Sequence, residues 1–120
     1  MRLTTQPKIP TTDTRLDRVY ELHDEFNKQF FAHRLRSCEI SIDDRDDHVH
    51  GWFIWDDKLD NEIVLSSRCY EISPDYVEST LLHEMIHQYQ VEVLGQFPDH
   101  GAIFNSIARH YEQSTNLKIR

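Results

Sequence analysis

At 120 residues the chain suits one domain that buries about two thirds of its unfolded surface, so a single core needs no disulfide support. A net charge of −8, with 21 acidic against 13 basic residues, opposes a purely electrostatic grip on nucleic acid. No run approaches the roughly 18 apolar residues of a spanning helix, and Cys38 and Cys69 lack Cys-x-x-Cys spacing, so both read as buried free thiols rather than ligands or a disulfide.

Residues 1–13, with Pro7, Pro10 and several Thr, read as an extended or disordered leader without the long apolar core of a signal peptide. The domain is therefore expected over residues 14–120, in a soluble, cytoplasmic protein. Thr14 with Asp17 three residues on resembles a capping box, and Leu16, Val19, Leu22, Phe26 and Phe30 share one helical face up to about Ala32. Three short segments rich in β-branched and aromatic residues follow: Cys38 to Ile42, His50 to Trp55 and Glu62 to Ser66. Asp56-Asp57-Lys58 and Asp60-Asn61 mark the last two as a hairpin. Within the second strand Trp52 and Ile54 share one face and Phe53 and Trp55 the other, so one face is expected in the core and the other toward a cleft.

Ser73-Pro74-Asp75 reads as a helix start: Ser73 caps, Pro74 suits the first turn, and Asp75 favours the positive end of the dipole. Gly95 supplies the stop. Between them Val77, Leu81, Leu82, Met85, Ile86, Tyr89 and Val93 give a broad apolar face, with His83-Glu84-Met85-Ile86-His87 in the middle. Residues four apart on a helix are separated by about 6 Å along the axis and about 40° around it, so His83 and His87 can converge on one metal ion. Glu84, turned by roughly 100°, flanks that ion instead of binding it. Two imidazoles and an adjacent carboxylate suit zinc and a general base. A catalytic zinc site wants a third protein ligand, and His100 is the choice. Asp99-His100-Gly101 opens a further helical pattern, Ala102, Ile103, Phe104, Ile107, Ala108 and Tyr111, which Asp99 is expected to cap, with Gly101 giving close approach.

Other candidates are weaker. Counted from Asp43, the acidic run to Asp47 has His48 and Ile54 where a calcium loop needs Gly and Glu, so it reads as a solvated loop. His48 and His50 read as exposed loop histidines in preference to a second metal pair, and His23, His33 and His110 as surface histidines. The basic residues Arg15, Arg18, Lys28, Arg34 and Arg36, with Arg109, Lys118 and Arg120, read as solvated surface, leaving nucleic acid only an indirect or locally basic point of contact. Tyr89, His110 and Tyr111 are unranked candidates for stabilising an oxyanion.

The combination Leu81-Leu82-His83-Glu84-Met85-Ile86-His87 with His100-Gly101-x-x-Phe104 resembles the SprT-like zincins. Phe26-Asn27-x-x-Phe30-Phe31, Leu35, the Glu39-to-Ile42 strand and Ile63-Val64-Leu65-Ser66 agree with that family's opening helix and strands, so the resemblance covers roughly residues 16–115. The chain departs from longer members, which carry a Cys-rich ribbon or DNA-binding segments after the core, so the expectation is a minimal protease core. The resemblance also implies zinc held by His83, His87 and His100, Glu84 as catalytic base, and DNA-associated proteins among the substrates. The expected fold is α+β and zincin-like, in the order α-β-β-β-α-α, with a small three-stranded sheet packed on the metal helix. The expected function is a zinc-dependent metalloendopeptidase acting on a protein or peptide. The alternative is a noncatalytic zinc-stabilised module that recruits a protein partner.

Overall fold

The computed structural model describes residues 14–44, 50–56 and 61–119. The leader, Arg45 to Val49 with His48, the turn residues 57–60 and Arg120 lie outside them. The order of elements is α1 (Thr14–Phe31), β1 (Glu39–Asp43), β2 (Gly51–Ile54), β3 (Glu62–Ser66), α2 (Arg68–Ile72), α3 (Pro74–Glu92) and α4 (Ala102–Thr115). The mixed α+β character matches expectation, but the described residues form four helices. The helix that the sequence does not announce is α2, five residues between β3 and α3. It is too short to show a periodicity, and its apparent start signal, Ser73, belongs to the next helix. Ser73 is both C-cap of α2 and N-cap of α3, where its side chain accepts the Tyr76 amide (3.1 Å). Pro74 at the first helical position keeps Ser73 extended and so separates the two helices.

β3 is the central strand, parallel to β1 and antiparallel to β2. Its residues Ile63 and Leu65 are fully buried. β1 and β2 are therefore edges, and the two edges differ. At β1 the Tyr20 hydroxyl donates to the Ile40 carbonyl (3.1 Å) and accepts from the Ile40 amide (2.8 Å), which satisfies the outward backbone groups there. At β2 the Ser66 amide donates to the His50 carbonyl (2.8 Å), which fixes His50 and Ser66 as a hydrogen-bonded pair. Such pairs alternate along an antiparallel ladder, so Trp52 and Ile54 bond β3 while Gly51 and Phe53 turn their N–H and C=O groups outward.

The long helix α3 is the core itself. Leu81, Leu82, Met85 and Ile86 are fully buried, and α3 packs on α1, on α2, on α4 and on both β2 and β3. A helix buried on most of its circumference carries polar residues inside only where they find partners. Gln88 does so: its amide donates to the Arg36 carbonyl (2.8 Å) and to Glu92, while its oxygen accepts from His23 Nε2 (2.9 Å). The helix stops beyond Val93, where Gly95 takes a left-handed φ of 63° and the Gln96 amide returns to the Gln90 carbonyl (2.8 Å).

His23 corrects the surface reading. It is buried on the α1 face that meets α3, beside Gln88 and within 3.8 Å of the Cys38 sulfur. Both cysteines are buried free thiols, as expected. Burial pulls the His23 pKa below its usual 6.5, against the Gln88 hydrogen bond and the charges of Glu92 and Asp24. The folded state thus resists a proton that the unfolded chain takes up, so this contribution to stability is intact above about pH 6.5 and declines as pH falls below it. In metal-free protein, thermal melts between pH 7.5 and 5 should show a steeper loss of stability for the natural chain than for His23→Gln; equal slopes would reject the assignment.

Candidate metal centre

α3 presents His83 and His87 one turn apart, and the segment before α4 brings His100 against them. His100 Nε2 lies 3.1 Å from His83 Nε2 and 3.2 Å from His87 Nε2. One nitrogen from each ring thus falls in a group within 4.8 Å, and these three histidines can hold a metal ion. Tetrahedral ligation at about 2.0–2.1 Å from zinc places ligand nitrogens roughly 3.3 Å apart, so the donor set fits that ion in chemistry and in spacing. Phe104, buried on α4, lies under the trio with ring centroids 4.8–5.0 Å from all three imidazoles.

The tautomer of His87 is set from the side away from the cluster. Its Nδ1 faces the Gln90 oxygen at 2.9 Å, and an amide oxygen only accepts, so Nδ1 carries the proton and Nε2 keeps its lone pair. Gln90, 1 % exposed, is held in turn by donating to the carbonyl and carboxylate of Asp99 (both 3.3 Å). Burial lowers the His87 pKa, which keeps the ring in the neutral form that binds metal. Asp99 does not occupy the expected cap position. The N-cap of α4 is Gly101, whose amide donates to Asp99 Oδ1 (3.0 Å) from two residues downstream, so Asp99 shapes the turn that carries His100 and steadies Gln90 as well.

Glu84 is 5 % exposed and points toward β2, with Oε2 4.0 Å from His83 Nε2. Burial pushes its carboxyl up to about 8, and a cation held by the neighbouring imidazoles would draw it back toward ionisation. Gly51 makes this placement sterically possible: a Cβ there would stand 3.1 Å from Glu84 Oε2 and 3.0 Å from Thr80 Cγ2. A glycine inside a strand is the sequence signal for such an approach, and it passed without remark in the sequence reading, as did Gln90, three residues beyond His87.

The remaining candidates lie apart from the three imidazoles. The Tyr111 hydroxyl donates to the Phe30 carbonyl (3.0 Å) in the core, where burial raises its pKa strongly, so it is not free to meet an oxyanion. Tyr89 packs on Phe31 beneath the Arg34 guanidinium, and exposed His110 lies against Tyr111. His50 is half-buried and hydrogen-bonded to the Tyr76 hydroxyl, which replaces the exposed-loop reading for that residue. Of the basic residues, Arg18 meets Glu25 (3.1 Å) and Arg15 meets Asp44 (3.8 Å), so each of these two exposed cations already faces a carboxylate.

The sequence model of the SprT-like family matches residues 19–120, a span that includes the whole sheet, the three histidines and Glu84. The chain belongs to the SprT-like family. No curated protein matches it. Among the described residues no helix is long and apolar enough to cross a membrane.

Two outcomes follow for the SprT-like site. Gln90→Leu, which frees the His87 tautomer, should weaken zinc binding about 10- to 100-fold, and His100→Ala should lower bound metal below one equivalent by elemental analysis. Full metal content in His100→Ala would place the third ligand elsewhere, and undiminished affinity in Gln90→Leu would show that His87 needs no such support. Gly51→Ala should displace the Glu84 carboxylate with metal content unchanged and lower any hydrolytic rate of the site about tenfold or more; an unaltered rate would show that the close approach is dispensable.

Proposed function

We propose that this SprT-like domain is a zinc-dependent metalloendopeptidase, with His83, His87 and His100 as ligands and Glu84 as general base. The observation that carries this reading is the combination of three converging imidazole nitrogens with a buried carboxylate one residue along from the first ligand. Zinc held there would supply Lewis acidity for the scissile carbonyl and make water a nucleophile near neutral pH.

The chain's own groups do the rest. Glu84 takes a proton from the attacking water and returns it to the departing amine, and its burial between β2 and α3 holds it to that one task. The outward N–H and C=O groups of Gly51 and Phe53 offer an extended polypeptide backbone partners along the strand beside Glu84. The substrate is accordingly an extended or locally unfolded protein segment. The net charge of −8 and the paired state of Arg15 and Arg18 favour protein over nucleic acid as the direct partner, so proteins bound to DNA would be reached through their own exposed segments.

A module that kept the metal only for folding would give no use to a carboxylate buried beside the ligands. Glu84→Gln separates the two readings: the variant should bind one zinc and melt like the natural chain, yet lose cleavage of an unfolded test protein by about 10³-fold or more. Undiminished turnover in that variant would reject Glu84 as the base, and a natural chain inert toward every unfolded protein, with and without single-stranded DNA, would favour the recruiting module.

A further inference from the structure

The rings at the far end of β2 have no part in the chemistry above. Trp55 follows the last residue of the strand and stacks on buried Phe53, with centroids 6.0 Å apart and planes 6° apart. Phe97 meets it edge-on at 5.3 Å, from the segment that joins α3 to α4 three residues before His100. Phe97 is 78 % exposed and Trp55 38 %. The end of β2 and the segment that leads to His100 thus each give one ring to the same exposed corner. Paired aromatic faces left in water mark a place where an apolar group is received.

Its distance from the chemistry follows from the strand. Gly51 touches Glu84, and Trp55 lies four residues on, about 13 Å in an extended chain. A polypeptide paired along the outward groups of Gly51 and Phe53 would bring to the rings a side chain about three or four residues from the bond beside Glu84. A nucleobase could also stack there, but Asp56 follows Trp55 and Asp99 follows Phe97 by two residues, both exposed, and the chain carries −8 overall, which repels a phosphate backbone.

We propose that Trp55 and Phe97 form a specificity subsite for one large apolar or aromatic side chain of the polypeptide aligned on β2, about three or four residues from the cleaved bond. This rests on the peptidase reading for its role but not for its binding. Two arms test it. In the first, the zinc-loaded Glu84→Gln chain is titrated with two fluorescently labelled decapeptides that differ only by Phe or Ala at one position in a Ser/Gly background. The Phe peptide should bind about tenfold more tightly, the gap should close in a Phe97→Ala background, and Phe97→Leu should restore most of it. In the second, cleavage sites of the active chain on an unfolded protein are mapped by mass spectrometry, and apolar residues should be enriched at one position on the Trp55 side of the cut, an enrichment lost with Phe97→Ala.

A gap unaffected by Phe97→Ala would overturn the subsite, as would a single-stranded oligonucleotide that displaces the Phe peptide from the rings. A peptide gap in a chain whose natural form cleaves nothing would sink the peptidase and leave the subsite standing. Cleavage with neither gap nor enrichment would do the reverse.

Discussion

Three imidazoles can share one point only if the backbone that carries them is held rigid, and here α3 meets that requirement by being the core. Leu81, Leu82, Met85 and Ile86 are fully buried, each burial being worth about 1.5–3 kcal/mol, and they alternate around the helix with His83, Glu84 and His87. The site residues inherit their position from the hydrophobic ones between them. Any slip of α3 against β2 or β3 would cost core packing before it moved a ligand, so the geometry of the site is as stiff as the most stable part of the fold.

That arrangement also sorts the polar residues of α3 into two networks on different faces. Gln88 and Glu92 tie the helix to His23, Arg36 and Asn61, and so to α1 and to the residues leading into β1 and β3. Gln90 ties it to His87 and Asp99, and so to the turn that brings in His100. The first fixes the helix in the molecule and the second fixes the ligand on the helix. Both buried glutamine amides, Gln88 and Gln90, have their oxygen and nitrogen in hydrogen bonds, consistent with the high cost of an unmatched polar group in so dry an interior.

Much of this was legible from residue order. Helical spacing gave His83 and His87, the Ser73-Pro74 start of α3 and the apolar face around them, because periodicity and capping are local properties. His100 was placed by the helix pattern that follows it and by the family resemblance. Contacts between distant segments were not legible. His23 looks like any surface histidine until α1 is docked on Gln88, 65 residues away. Gly51 acquires its meaning only when β2 lies against Glu84, and Gln90 when its amide is seen between His87 and Asp99. The short α2 was hidden for a different reason: five residues are fewer than two turns, so no periodic signal exists to be read.

The Tyr20 hydroxyl meets the outward backbone groups of Ile40 on the β1 side of the sheet, while on the β2 side Gly51 and Phe53 turn theirs outward. A strand added on the β2 side would lie next to the buried Glu84 carboxylate. Two copies paired edge to edge through β2 would each lay a strand over the other's Gly51 and Glu84, so the same backbone groups that could receive a foreign segment could also receive a second copy.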